Sequence, residues 1–351
     1  LYSCHRLSQK DVKEPVFSAT PKEIPAMQLS TDQLLDFYHL MVKIRSFEET
    51  LGSLFSKGLL GGTSHFCIGQ EASAVGVVQG VRDTDWLVSN HRGHGHLLAR
   101  RLNVYRVMAE LLGRETGYCF GRGGSQHMCS MDEHFLGTNG ITGGGIPIAA
   151  GAALALKCQK SDSIVVVFFG DGASNQGTFH ETLNIASLWK LPIMFVCENN
   201  LYGMSNPVKR SVAGGGKVAP RAAGYAIPAQ TLEGRDVELV WKTTREAAER
   251  IRNGGGPELL ELMTYRLCGH SKSEPRVYRT REEEDQMAKL DPLATFPKRL
   301  LELGCTQEQI DDAANSARKM VEDATQKALQ DEPGDRHVAL SGVFAEEEVS
   351  K

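Results

Sequence analysis

The sequence has no long apolar run. Its longest, Ile164 to Phe169, is six residues, far short of the ~20 that a membrane-crossing helix needs. It has no excess of positive charge either. A net charge of −4 leaves no basic footprint for nucleic acid or an anionic lipid surface, so neither is expected as a partner. The eight cysteines (Cys4, Cys67, Cys119, Cys129, Cys158, Cys197, Cys268 and Cys305) include no C-x-x-C pair, which suits reduced thiols better than a disulfide framework. There is no internal repeat and no low-complexity segment. The chain opens on Leu1, and its first ten residues, with Arg6, Lys10 and two serines, are too few to show an import sequence. A bacterial cytoplasm is the expected compartment, with the mitochondrial matrix as the alternative.

What remains is an ordinary globular composition, 41% hydrophobic and 23% charged over 351 residues, enough for a large core. Residues 1–29, with Pro15, Pro21 and Pro25, read as an extended arm. Ser30 or Thr31 offers a cap to an apolar-periodic helix ending near Leu59. Residues 60–145 are rich in Gly and His, which makes poor helix but good ligand-approaching loop. After residue 146 a helix is predicted over Pro147–Lys157, a strand over Ile164–Phe169, a helix over Ser174–Lys190 and a strand over Ile193–Cys197. A third round follows with Ile227–Leu232, Val237–Asn253 and Glu258–Arg266. Strands nearly all apolar and alternating with helices predict an α/β fold, an open and mostly parallel sheet flanked by helices. Charged helices run to about Leu329, and residues 331–351 read as a loose tail. One domain is expected over 30–330.

Two strand ends stand out. Gly170-Asp171-Gly172 follows one buried strand and Glu198-Asn199-Asn200 follows the next, a full crossover later. Ligands of open α/β sheets bind beyond strand carboxyl ends. The following helix can turn its N–H groups toward an anion, and an aspartate beside an anion implies a bridging cation, for which magnesium is usual. Asp171 and Asn200 are the candidate ligands, with the carbonyl of Tyr202 as a third. Turn chemistry alone is the bland alternative for each motif taken singly. His91, His94 and His96 lack the spacing and supporting ligands of a zinc site; they read better as histidines near an anionic cofactor, which would favour their charged form, or as structural. Gly143-Gly144-Gly145 fails the dinucleotide fingerprint, since Ile148 occupies its last position and no strand precedes it. The small residues Ala149, Ala150, Gly151 and Ala153 suggest close helix packing at a subunit interface, to be disturbed by leucine at 150 or 153.

The run Gly170-Asp171-Gly172-Ala173-Ser174-Asn175-Gln176-Gly177 through Leu188-Trp189-Lys190-Leu191-Pro192 to Glu198-Asn199-Asn200 resembles the thiamine-diphosphate signature of 2-oxo acid dehydrogenase first components. More specifically, it resembles the alpha subunits of the heterotetrameric type, which includes pyruvate, branched-chain and acetoin dehydrogenases. It extends over Gly69-Gln70-Glu71-Ala72, His91-Arg92-Gly93-His94-Gly95-His96, Gly123-Gly124-Ser125-Gln126-His127-Met128 and Tyr265-Arg266 with Gly269-His270-Ser271.

The resemblance implies magnesium on Asp171, Asn200 and Tyr202, with Gly170, Gly172 and Ala173 beside the cofactor. Arg92, Arg266 and His270 are placed at the diphosphate or the entrance, Gly140 and Thr142 at the aminopyrimidine, and His65 and His270 among the catalytic residues. Thr142 stands where many relatives carry an aliphatic residue, and His91 where typical pyruvate-specific subunits carry tyrosine. The implied enzyme is an α2β2 heterotetramer whose beta subunit supplies the activating glutamate. It forms a hydroxyethyl adduct from pyruvate or acetoin and passes the acyl unit to the lipoyl group of an acyltransferase. A branched-chain enzyme, or a non-catalytic cofactor-binding subunit, is the alternative. Gly269–Thr280 reads as a loop that orders over the cofactor, and Ser271 matches a phosphorylation position of some relatives.

Overall fold

The computed structural model describes residues 28–335 apart from Ser273. The arm expected over 1–29 lies outside the described residues except for its last two positions, and so does most of the tail expected from 331. The chain starts with α1 (Thr31–Ser56), capped by Ser30 in a reciprocal arrangement with Gln33. The Gly/His-rich stretch contains α2 (Glu71–Gly80), β1 (Trp86–Val88), α3 (His94–Ala99), α4 (Val104–Leu111) and β2 (Phe135–Gly137). Then come α5 (Gly145–Cys158), β3 (Val165–Gly170), α6 (Gly177–Leu188), β4 (Ile193–Asn199) and a small hairpin of β5 (Tyr202–Gly203) and β6 (Asn206–Pro207). The single turn α7 (Val208–Ser211), β7 (Ala229–Glu233), α8 (Val237–Arg250) and β8 (Glu258–Met263) follow. The helices α9 (Arg281–Ala288), α10 (Pro292–Glu302) and α11 (Gln307–Gln330) close the fold.

Six strands form one sheet in the order β2-β1-β3-β4-β8-β7, with every neighbouring pair parallel. The α/β sheet expected from the strand–helix alternation is therefore present, widened by the three-residue strands β1 and β2, too short to carry a periodic signal. Side-chain alternation divides the core. Val166, Phe168, Met194, Val196, Leu260 and Leu262 pack with residues of α1, α2 and α8. Val165, Val167, Phe169, Ile193, Phe195 and Cys197 pack with residues of α5 and α6 on the other face. Helices on both faces explain why β3 and β4 read as unbroken apolar runs. Among the described residues no helix is long and apolar enough to cross a membrane.

Two expectations need correction. The stretch 60–145 is broken into short elements but is not poor helix throughout: nine of the ten residues of α2 are buried, and its glycines serve packing. A Cβ on Gly76 would sit 2.7 Å from Cβ of Val240 on α8, so glycine lets the two helices touch. The small-residue face of α5 is also divided, with only Ala150 and Gly151 left open to an interface. Ala149 and Ala153 are fully buried against the sheet, while Ile148, Gly151 and Leu154 face outward. Leucine at 153 would disturb folding before assembly.

Gly76→Ala tests the α2–α8 contact. Alanine favours a helix over glycine by roughly 1 kcal/mol, but overpacking a filled contact costs roughly 1–3 kcal/mol. We expect a lower urea midpoint; one at or above the parent's would show that α8 yields freely.

Candidate active site

The register of β3 on β4 pairs Gly170 with Glu198. Asp171 and Asn200 therefore leave adjacent strand tips, which lie one strand spacing of ~4.8 Å apart, with Asp171 level with Asn199 and Asn200 one residue further on. Between the tips and α6 a 3-10 turn, Asp171–Asn175, intervenes. The N–H groups at the tip therefore belong to this turn rather than to the long helix expected from Ser174. The tips open into a cavity of about 310 Å³. Arg92, Thr142, Gly170, Asp171, Gly172, Ala173, Asn200, Tyr202, Arg266 and His270, ten of the residues singled out from the sequence, line it. Gly140 does not, although its neighbours Asn139 and Ile141 do. His65 lies one ring further out, edge-on to His91 at 4.8 Å and to His270 at 4.9 Å.

The charges lining this cavity are incompletely matched. Arg92 is buried and donates to the carbonyls of Phe66 (2.7 Å) and His270 (2.8 Å), with His270 Nδ1 at 3.1 Å. Arg266 is fully buried and donates to the carbonyls of Tyr202 (3.4 Å), Met204 (3.1 Å) and Cys268 (3.3 Å), and to the hydroxyl of Tyr278 (2.8 Å). Among the described residues, neither guanidinium meets a carboxylate. Burial, then the charge of Arg266, pushes Arg92 down to about 10. Two buried cations held only by neutral groups beside a cavity call for an anion there. Opposite them, Asp171 is 1% exposed and its Oδ2 has no hydrogen-bond partner. Burial pushes its carboxyl up to about 6, against the opposing pull of its own backbone, Arg266, the Asn200 N–H and Arg92. A carboxylate oxygen left bare beside a site that calls for an anion fits a cation between them. Asn200 turns its Nδ2 to Gln70 Oε1 (3.3 Å), and its Oδ1 accepts from the Tyr202 N–H (3.3 Å), leaving a further lone pair.

The histidines sort into two kinds. His94 and His96 belong to the interior. His94 Nδ1 is 3.2 Å from both oxygens of Glu48 and its Nε2 is 2.8 Å from Ser125 Oγ. His96 Nδ1 is 2.7 Å from Ser89 Oγ, its Nε2 is 3.4 Å from Glu198 Oε2, and its ring stacks on Phe168 at 3.7 Å. Their partners are the carboxylates of Glu48 and Glu198, which replaces the expectation of an anionic cofactor beside them. His65, His91 and His270 do gather at the cavity. Burial first, and then Arg92, lowers all three: His65 to about 4, His270 to about 3, His91 in the same direction.

Sequence reasoning missed several participants. Gln70 steadies Asn200, and only its place in a quoted motif hinted at it. Arg279 was not noticed at all. It lies over the rings of Tyr202, Tyr265 and Tyr278 at 4.8, 4.7 and 5.5 Å and donates to the Arg266 carbonyl at 2.6 Å. Together with Glu283, which accepts from the hydroxyls of Tyr202 and Tyr265 (2.9 Å each), it fastens the segment after β8 over the cavity. Glu274 accepts from the His270 N–H and from the Tyr278 hydroxyl within that segment.

A model of the dehydrogenase E1 component family matches residues 39–335. The alpha subunit of the acetoin:2,6-dichlorophenolindophenol oxidoreductase of Bacillus subtilis (strain 168) is 41% identical over 305 residues, covering 85% of this chain and 91% of that one. The pyruvate dehydrogenase E1 component subunit alpha of Rhizobium meliloti (strain 1021) is 39% identical over 306 residues, with 87% and 88% covered. The somatic mitochondrial form of Homo sapiens is 40% identical over 306 residues, with 86% and 77% covered. With this similarity running through both strand tips and the arginines around them, the chain belongs to the dehydrogenase E1 component family, among its alpha subunits.

Proposed function

We propose that this chain holds the magnesium and diphosphate of thiamine diphosphate and, in an α2β2 assembly with a beta subunit, acts on pyruvate or acetoin. The acyl unit goes to a lipoyl group on a separate acyltransferase. The observation that carries the reading is the charge pattern of the cavity, two buried guanidiniums without a carboxylate facing one buried carboxylate oxygen without a donor. An anion with a divalent cation satisfies both deficits at once. When bound, the cofactor supplies a carbon nucleophile and an electron sink for breaking the bond beside the substrate carbonyl.

The chain's own residues bind and orient. Asp171 Oδ2, Asn200 Oδ1 and the Tyr202 carbonyl would hold magnesium; Arg92 and Arg266 would face the diphosphate oxygens, a task suited to a planar fork. The ring edges of His65, His91 and His270 bound the approach. Ile141, Ile146, Phe168 and Phe169 add apolar lining that excludes water. The relatives act on pyruvate or acetoin by name, which favours these substrates over branched-chain ones. Ile148, Leu154, Ile185, Leu188 and Trp189 are exposed on and just after α5 and α6, an apolar surface that supports a partner subunit. The cysteines described in the structure are all free thiols, in keeping with a bacterial cytoplasm.

Asp171→Asn keeps the shape and removes the charge. Titration calorimetry of the reconstituted complex with thiamine diphosphate and magnesium should show affinity reduced by about 100-fold or more, above the loss seen when a mere supporting residue of a metal site is changed. The unliganded variant should melt at or above the parent's temperature, because an unpaired buried charge is gone. Parent-like affinity in the variant would defeat the metal assignment.

A second test concerns the partner. The chain alone should turn over neither pyruvate nor acetoin. With the beta subunit it should reduce an artificial electron acceptor with one of them and prefer it to branched-chain 2-oxo acids. Full turnover by the isolated chain would defeat the two-subunit reading.

A further inference from the structure

Gln126 takes no part in the proposed cofactor grip, yet its side chain is the polar partner of His65. Its Nε2 lies 3.0 Å from His65 Nδ1. An amide nitrogen only donates, so Nδ1 must accept, and a neutral ring then carries its proton on Nε2. The other end of the same amide lies over Gly140, where a Cβ would come within 2.5 Å of Oε1. The glycine expected to hold the cofactor's aminopyrimidine thus makes room for the amide that orients the histidine.

The backbone around Gln126 is held with unusual care. Glu110, 1% exposed, accepts four backbone N–H groups, those of Cys119 (2.7 Å) and Gly121 (2.9 Å) on Oε2 and those of Gly123 (2.7 Å) and Gly124 (3.0 Å) on Oε1. Ser125 is tied to His94 (2.8 Å) and to the hydroxyl of Ser64 (3.3 Å), and its carbonyl accepts from Thr138 Oγ1 (3.2 Å). Since Ser64 and Ser125 touch, the next residue of each segment, His65 and Gln126, is brought to the other. A buried carboxylate with four donors is a strong clamp, and here it fixes the loop that carries Gln126 to His65.

We infer that Gln126 is a positioning residue of this enzyme, holding His65 neutral with its proton on Nε2, so that His65 meets substrate as a hydrogen-bond donor. The inference rests on the reading of His65 as a residue of the active site. The charged and titratable groups around the ring act in the same direction. Arg92, Arg266 and His94 all oppose a further positive charge, and His91 and His270 present ring edges. Burial first, and then Arg92 and Arg266, push His65 down to about 4, so the neutral form is complete at physiological pH, and the amide decides which nitrogen bears the proton.

Two arms test this. In the full-length chain labelled with ¹⁵N-histidine, the His65 resonance, identified by its loss in His65→Asn, should show a bare Nδ1 and a protonated Nε2 at neutral pH. In Gln126→Glu, whose carboxylate only accepts, Nδ1 should gain a proton. This arm needs no cofactor. In the reconstituted complex, Gln126→Leu should lower kcat/KM about tenfold, the scale of one lost buried hydrogen bond, with thiamine diphosphate affinity that of the parent. In Gln126→Glu the carboxylate should raise the pKa of His65, so that activity persists only where the doubly protonated ring still donates from Nε2 and falls as pH rises; a merely structural glutamine would not produce this alkaline fall. Gln126→Met keeps the bulk and should behave as the leucine variant. A proton on Nδ1 in the parent, or parent-like kcat/KM and pH profiles in all three variants, would overturn the inference. A parent complex that fails to bind thiamine diphosphate would instead defeat the cofactor reading, leaving the tautomer measurement to decide the role of Gln126.

Discussion

The parallel pairing of β3 with β4 is the constraint on which the site depends. Six consecutive backbone pairs, from Val165–Ile193 to Gly170–Glu198, set two strand tips level at one edge of the sheet. A slip of one residue would turn every core side chain of one strand to the other face. Because both faces of these strands are covered by helices, such a slip would misplace Phe168 and Phe169 alike. Core packing therefore enforces the register, and the register brings Asp171 beside Asn200. A large apolar free energy thus secures an arrangement of polar groups that is itself unfavourable.

That arrangement is unfavourable in a specific sense. Burial of Arg92 and Arg266 against carbonyls, and of Asp171 with a bare oxygen, leaves desolvated charges whose natural partners are elsewhere. Most other buried charges in the chain are paired: Arg45 with Glu71 and Asp291, Arg252 with Asp85, Glu48 with His94, Glu198 with His96. The contrast matters because the cavity, unlike those interior pairs, is open to a ligand. Among the described residues, where a buried carboxylate elsewhere lacks a cation, as at Glu110 and Glu261, backbone N–H groups satisfy it, whereas Asp171 Oδ2 at the cavity has no donor.

The histidines show the same division at the level of protons. His94 and His96 each spend both ring nitrogens on a carboxylate and a serine hydroxyl. His65, His91 and His270 sit among arginines, so the electrostatics that call for an anion also keep these rings neutral. Any diphosphate bound between the guanidiniums would weaken that depression, linking cofactor occupancy to histidine protonation. The Gln126 amide then matters because a neutral imidazole has two tautomers and only a directional partner chooses between them.

The sheet was largely legible in the amino-acid order, as were the two strand-tip motifs and most of the cavity lining. Apolar runs such as Ile164–Phe169 and Ile193–Cys197, each followed by a short polar turn, carry a local signal that needs no distant contact. The resemblance added Arg92, Arg266, His65 and His270, which no local pattern marks. Other features had no local trace: the three-residue strands β1 and β2, the helix packing hidden in the glycines of α2, the Arg279 cluster, and the division of the histidines between core and cavity. Each depends on partners far along the chain, as Gly76 on Val240, His94 on Glu48 and Gln126 on His65. Buried strands and the residues at their tips can be read from chain order, because periodicity and turn chemistry are properties of neighbours. Which charges are paired, and which protons are held and where, is settled by the folded arrangement, because those energies depend on distances that chain order does not contain.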